Sequence, residues 1–395
     1  MYIYSERIYT PQGFKKGYLM IEEGKFKGIF NDVSENFIDY KEYLIVPGFI
    51  DIHIHGWATG SFIHEGTKES LENMSKELVK AGVTSFLPTT GTDDLKTING
   101  QLKEGKRSIK DYSPQKGADI LGFHLEGPFI NKEFKGMQKE EYCLNPSIEI
   151  LEQFFESGGK ENIKLITLAP ELEGSLEFIK YVNGEGIQIS IGHSAAEFEE
   201  IRDLKDYGLG GFTHTFSGMR GFHHRRLGVV GAAMYFDDMY AEFAKQTGMT
   251  VKPEAFAIIY KIKGSKKVIL TSDSTGLAHV KKPFHHYIRE CTFIPDGDYL
   301  NLKYDDGREE RINKYDYDKV KDLELSYLNS VKNVVVNIDA SIGDIVKMTA
   351  ENPAKYIGVY DKKGSIEIGK DADLLVIDGL WNLKEVFVKG IRQEI

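Results

Sequence analysis

The sequence predicts an α/β fold: a (β/α)8 barrel of the TIM type, joined to a small β-sandwich domain built from both chain ends. Three observations predict it. Eight short apolar runs recur through the middle of the chain, at 49–55, 83–88, 119–126, 164–169, 187–193, 210–214, 239–244 and 267–273. Most intervals between them carry helical patterns, as at 70–81 and 195–207, and strands alternating with helices imply a parallel sheet. Several runs end in imidazoles or carboxylates where turn residues are expected: His53 and His55, Glu126, His193, His214 and Asp273. Barrels of this type carry their active-site groups at the C-terminal ends of the strands.

The ends of the chain read differently. Residues 1–47 alternate and turn often, with a hairpin over 17–30 around a Glu23-Gly24 turn. Residues 364–378 read as strand, turn, strand, and 386–390 as a further strand. Chain termini often lie close together, so 1–47 plus 356–395 are expected to form one small β domain, flanking a barrel at 48–355. Beyond Asp273 the pattern is less regular. An inserted hairpin is expected near 290–308 and a final helix near 342–355.

A chain of 395 residues suits one large barrel with an accessory domain. A hydrophobic content of 41% is ordinary for a globular protein. The formal charge of −10 argues against a nucleic-acid partner, which favours a basic footprint. It leaves a small anionic substrate open, because a site can be locally basic. Cys143 and Cys291 have no paired spacing, so no disulfide framework or zinc ribbon is expected, in keeping with a reducing cytoplasm. The first residues show no secretory pattern, and no apolar run approaches the ~20 residues of a membrane span. A cytoplasmic protein with no membrane partner is expected.

His53 and His55 lie two apart on a strand and face one side. Imidazole is a common ligand for zinc and other divalent metals. The pair stands directly after Val46-Pro47-Gly48-Phe49 and before Gly56. Glu126 ends its run just before Gly127-Pro128. Each candidate also has a structural reading. Glu126 could be solvated, His193 a loop histidine beside a serine cap, His214 a satisfied core histidine, and Asp273 a helix cap. Taken together, on the first, third, fifth, sixth and eighth strands, they point to a metal-dependent hydrolase. His223-His224-Arg225-Arg226, after the sixth strand, reads either as a solvated basic turn or as a phosphate-binding loop, since guanidinium forks match phosphate oxygens. His64, His279, His285 and His286 read as surface or packing residues.

These segments resemble the amidohydrolase superfamily, and within it the N-acetylglucosamine-6-phosphate deacetylase family. The resemblance runs over nearly the whole chain. Its carriers are Pro47 to Gly56, His124-Leu125-Glu126-Gly127-Pro128-Phe129, Gly192-His193-Ser194, Thr213-His214-Thr215-Phe216, His223-His224-Arg225, Gly228 to Ala232, Ser272-Asp273-Ser274-Thr275 and Gly364 to Leu374. It implies that Glu126, His193 and His214 bind a main metal, and that His53 and His55 join Glu126 at a second. Asp273 would be general base and then general acid, and Arg225 the phosphate-binding arginine. One or two divalent ions (zinc, iron or manganese), an amino sugar phosphate substrate and a homodimer follow from the same resemblance.

The substrate shell departs from the family pattern. Ser217-Gly218 replaces Asn-Ala after the sixth strand, and Thr247-Gly248-Met249-Thr250 replaces Asp-Gly-x-His. Gly136-Met137-Gln138 stands where many members have Gly-Ala-His. The Leu-Ala-Gly-Ser substrate loop before the last barrel helix is not recognisable. Met137, Gln138, Ser217, Gly218, His224, Arg225, Thr247 and Thr250 are the expected substrate-binding positions. Two alternatives stay open: an amidohydrolase of another N-acyl sugar, such as N-acetylgalactosamine-6-phosphate, or of a cyclic amide; and a sugar-phosphate-binding protein without turnover.

Overall fold

The computed structural model describes residues 1–244, 250–287 and 289–395. All eight central runs are strands: β1 (Phe49–Ile54), β2 (Val83–Thr90), β3 (Phe123–Glu126), β4 (Ile163–Leu168), β5 (Gln188–Ile191), β6 (Leu209–Phe212), β7 (Tyr240–Ala244) and β8 (Val268–Thr271). Successive strands pair in parallel from β1 to β8. A short forerunner of β3, Asp119–Ile120, also pairs with β2. Gly122 interrupts the run at φ +141°, where a side chain would meet the Asn162 carbonyl oxygen at 2.3 Å. The ring closes just past β8. There the Asp273 amide donates to the His53 carbonyl (2.9 Å), and the His55 amide donates to the Ser274 carbonyl (2.8 Å).

Strands β1, β2 and β8 are buried along their whole length, as expected for a parallel sheet covered on both faces. The helix Lys68–Leu78 starts because the Thr67 side chain accepts from the Ser70 amide. It buries Leu71, Met74 and Leu78, a 3.6-residue stripe against the barrel. Each fully buried leucine contributes about 1.5–3 kcal/mol, so Leu71→Ala would be among the costliest single changes to this helix. The helix expected at 195–207 begins later, as Phe198–Leu204, because Glu171 holds its approach. The Ser194 hydroxyl and the Ala195 amide both donate to that carboxylate (2.7 and 2.6 Å).

Both chain ends join one eight-stranded sheet. Tyr2–Thr10, Gly13–Glu22, Lys25–Phe30, Phe37–Asp39 and Leu44–Pro47 come from the start of the chain, and Leu374–Ile377, Leu383–Val388 and Ile391–Arg392 from its end. The sheet has its own apolar core, including Ile3, Ile8, Leu19, Phe26, Leu374 and Phe387. The first strand expected within 364–378 is absent. Gly364 and Gly369 turn the chain at positive φ, and the segment instead wraps charged groups around Lys363. The hairpin expected near 290–308 is present as Cys291–Asp296 and Tyr299–Tyr304, within a four-stranded sheet.

The final helical stretch runs from Ile342 to Tyr356 with a widened turn at Lys347–Glu351. Tyr356 packs under β5 to β7. Its hydroxyl donates to the Ile189 carbonyl (3.1 Å), and its ring lies over Gly210 and Gly211, where an added Cβ would come within 2.9 and 2.8 Å. Among the described residues, no helix is long and apolar enough to cross a membrane.

Candidate metal centre

The barrel brings all five expected metal ligands together at the C-terminal ends of its strands. His53 and His55 come from β1, Glu126 from β3, His193 from beyond β5 and His214 from beyond β6. All five are buried. The backbone that aims them is unusual. His193 (φ +48°), His214 (φ +32°) and Asp273 (φ +48°) adopt left-handed conformations just past their strands. For residues other than glycine this costs of order 1–3 kcal/mol and persists only where the surroundings enforce it. Gly192 has no room for a side chain: a Cβ would lie 2.7 Å from Thr167 Cγ2 and 2.9 Å from Thr213 Cβ.

The Nδ1 atom of each of the four histidines faces an acceptor. His53 faces Glu242 Oε1 (2.7 Å), His55 the Thr89 carbonyl (3.1 Å), His193 the Phe134 carbonyl (2.8 Å) and His214 the Ser217 carbonyl (3.1 Å). An acceptor at Nδ1 places the hydrogen there, so each neutral ring presents a bare Nε2. The Nε2 atoms of His193 and His214 are 3.1 Å apart, and those of His53 and His55 are 3.2 Å apart. Glu126 Oε1 lies 3.0 Å from His214 Nε2 and 3.1 Å from His193 Nε2, while its Oε2 lies 3.2 Å from His55 Nε2. With the rings neutral, lone pairs and a carboxylate converge there, an arrangement that repels unless a proton or a metal cation joins it.

Two overlapping ligand groups result, His53–His55–Glu126 and Glu126–His193–His214, with the atoms of each group within 4.8 Å of one another. Imidazole nitrogen with carboxylate oxygen suits a divalent transition metal, so the donor set fits such an ion.

The electrostatics agree. Burial disfavours a charged imidazole, yet Glu242, Glu126 and Asp273 hold His53 well above its ordinary pKa. Burial is likewise outweighed at His55, which Asp273 and Glu126 raise to about 9, and at His214, which Glu126 raises. Burial would raise the carboxyls, but His53, His193 and His214 hold Glu126 well below its usual range, and His53 and His55 do the same for Asp273. A pocket whose carboxylates stay charged and whose rings attract protons is built for positive charge. Asp273 Oδ1 stands beside the ligands, 3.4 Å from His55 Nε2 and 3.5 Å from His53 Nε2.

Beneath the ligands lies a polar layer that sequence reasoning missed. Glu242, buried within β7, orients His53. His124 points its two ring nitrogens at the Ile52 carbonyl (3.0 Å) and the Thr167 hydroxyl (2.8 Å). Burial, then its neighbour His53, pushes its pKa well down, so it stays neutral. A signal for Glu242 was present. An acid inside an apolar strand run is seldom buried without a partner.

The expected substrate positions are spread more widely. Gln138 bridges the site: its Nε2 donates to Glu126 Oε2 (2.6 Å), and its Oε1 accepts the Thr92 amide (2.7 Å). Ser217 serves His214 through its carbonyl oxygen. Gly218, at φ +55°, packs on His193, where a Cβ would sit 2.9 Å from Nδ1. Met137, His224 and Arg225 are exposed. The exposed Thr250 donates its hydroxyl to the Ala244 carbonyl (2.6 Å), and Thr247 lies outside the described residues. Of the other histidines, His279 is buried against Glu65 (2.9 Å), and His285 meets the Thr292 hydroxyl (3.0 Å).

The amidohydrolase family model matches residues 44–393. The N-acetylglucosamine-6-phosphate deacetylase of Bacillus subtilis (strain 168) is 30% identical over 378 residues, 92% of this chain and 89% of that relative. The N-acetylgalactosamine-6-phosphate deacetylase of Escherichia coli O157:H7 is 26% identical over 387 residues, 98% of this chain and 97% of the relative. The crystal structure of N-acetylglucosamine-6-phosphate deacetylase from Pasteurella multocida superimposes with a TM-score of 0.82 at 26% identity, covering 99% of both chains. With a family match that spans the barrel and likeness that extends along nearly the full chain, this protein belongs to the amidohydrolase family.

Proposed function

We propose that this protein is a metal-dependent deacetylase. It would hydrolyse the acetamide of an N-acetyl amino sugar phosphate, N-acetylglucosamine-6-phosphate first, to acetate and the amino sugar phosphate. The observation that carries the reading is the convergence of four histidine Nε2 atoms on Glu126 beside Asp273. The B. subtilis and P. multocida relatives bear the name of this activity.

Glu126, His193 and His214 would hold a main ion, and His53 and His55 with Glu126 a second. Zinc, iron and manganese all accept such mixed ligands. When bound, the ion supplies Lewis acidity, which acidifies water and polarises the carbonyl oxygen. The remaining work falls to the chain. Asp273, held ionised, accepts a proton from the water whose oxygen bonds to the acetamide carbon. It returns that proton to the amine nitrogen as the C–N bond breaks, so the amine leaves together with acetic acid, which ionises to acetate. Arg225 would pair with the phosphate. The protein would act as a homodimer, which light scattering checks.

N-acetylgalactosamine-6-phosphate is the second reading. What favours it is the altered sugar shell, in which Gln138 is engaged with Glu126 and Thr92, together with the E. coli relative. The deciding experiment measures acetate release from both phosphorylated sugars and both unphosphorylated parents. Asp273→Asn should retain metal and lose most turnover. Binding of these sugars without acetate release would favour a non-enzymatic sugar-phosphate-binding protein instead.

A further inference from the structure

Glu324 belongs to none of the segments expected to form the site. It lies between the four-stranded sheet and the helix Tyr327–Asn337 and is 6% exposed. Its carboxylate accepts from three successive backbone amides shortly after Asp273. Oε1 takes the Thr275 amide (2.7 Å), and Oε2 takes the amides of Gly276 (2.8 Å) and Leu277 (3.1 Å). Oε1 also accepts the Thr275 hydroxyl (3.1 Å). Successive amides turned to one point form a nest for an anion, and here a side-chain carboxylate fills it. Gly276, at φ +70°, supplies the turn.

The clamped loop is stitched to the metal-ligand strand. The Ser274 carbonyl accepts the amides of His55 (2.8 Å) and Gly56 (3.0 Å), and the Thr275 carbonyl accepts the Ser61 hydroxyl (2.8 Å). Asp273 itself sits at φ +48°, a conformation that its surroundings must enforce. Hydrogen bonds from amides to an ionised carboxylate are stronger than neutral ones, which suits an enforcing role.

We propose that Glu324 is a positioning residue: by locking the 275–277 amides it fixes the loop that aims the Asp273 carboxylate at the reacting centre. It acts through Asp273, and the inference rests on the deacetylase reading above. A glutamate of purely structural value would lower stability and leave turnover alone.

The test compares the full-length, metal-loaded parent with Glu324→Gln and Glu324→Ala. The glutamine is nearly isosteric but turns a donor toward donors, so it carries the test should the alanine variant fail to fold. Hydrogen exchange of the 275–277 amides should rise at least about tenfold in the variants, since their acceptor is weakened or gone. Turnover should fall at least about 30-fold, because small misplacement of a reacting group costs up to about a hundredfold. KM should move less than about threefold, with metal content retained. The solvent deuterium isotope effect on kcat should grow as proton transfer becomes limiting. Unchanged amide exchange, kcat within about threefold of the parent, or a loss of activity that merely tracks loss of metal would each overturn the proposal. A parent that releases acetate from none of the four sugars would defeat the deacetylase reading. Amide exchange would then still decide the clamp.

Discussion

Glu242 Oε1 accepts a hydrogen bond from His53 Nδ1 at 2.7 Å, across the inside of the barrel from β7 to β1. The same oxygen accepts the His214 amide at 3.2 Å. One buried carboxylate therefore braces a histidine from each of the two ligand groups. Metal-ligating histidines commonly donate their second ring nitrogen to such a partner, which sets tautomer and ring orientation.

Glu242→Ala should weaken metal binding by about 10–100-fold, the range found when such outer partners are removed. Glu242→Gln keeps a carbonyl acceptor and should lose less. Competition against a chelating indicator at neutral pH measures both. Equal affinity in parent and alanine variant would show that His53 needs no brace.

The shifted histidines predict a second behaviour. In the metal-free protein His55 is raised to about 9, and His53 and His214 are raised as well. At neutral pH His55 therefore carries a proton that an incoming metal must displace, and the upward shifts of His53 and His214 act in the same direction. Metal affinity should therefore climb from pH 6 to 9, with proton release visible by calorimetry in buffers of different ionisation enthalpy.

Stability has its own sign. Raised folded pKa values stabilise the metal-free protein fully below the unfolded histidine value of 6.5, and that contribution is lost as pH rises through about 9. The depressed Glu126 and Asp273 act in the acid window, where stability falls as pH drops through their folded values. Melting temperature against pH, with and without metal, separates these effects. The alkaline loss should appear only without metal.

Lys363 carries a prediction of its own. Its ammonium group, almost wholly buried, lies 2.6 Å from Asp373, 3.1 Å from Asp371 and 3.1 Å from Asp119, a residue of the barrel. Lys389 adds a second contact to Asp119 at 2.7 Å. The cluster ties the terminal sheet to the barrel. Removing one partner from a buried ionic cluster strands the others, so Lys363→Ala should cost about 3–5 kcal/mol in chemical denaturation. A loss below about 1 kcal/mol, the scale of a surface pair, would mean that water reaches the cluster.

The eight strands and the five side chains that converge at their ends were legible because both signals are local. Apolar runs mark strands, and an imidazole or carboxylate at the end of a run has few structural reasons to be there. The braces were not legible in the same way. Glu242 gave a hint by lying inside an apolar strand, but its partner is 189 residues away. Glu324 gave none, since its meaning depends on a loop 47 to 49 residues earlier that only the closed barrel brings near. The strand misread at 364–368 failed for a related reason. Its alternation was real, but the lysine and aspartates around it organise a charged junction in place of a ladder. Gln138 shows what position alone does not tell: its place in the chain suggested sugar contact, and the fold adds a hydrogen bond from its side chain to the Glu126 carboxylate.

The last prediction concerns phosphate. The family pattern has a histidine where this chain has Thr250, and Arg225, with His224, Arg226 or Lys252 as substitutes, could offset its loss. The structure narrows them. Arg226 is paired with Glu197, and the rings of His223 and His224 pack 4.3 Å apart. The exposed Arg225 has no ion pair among the described residues; its backbone amide, 3.3 Å from His223 Nδ1, ties the turn down. Its guanidinium and the exposed Lys252 thus remain candidates to receive a dianion. Arg225→Ala should raise KM for a phosphorylated sugar at least about tenfold, roughly 1.4 kcal/mol. An unphosphorylated analogue should be affected little. Steady-state kinetics on the matched pair provides the measurement. Equal losses on both substrates would make Arg225 a structural residue, and a parent with no preference for phosphorylated sugars would move the whole site to another substrate.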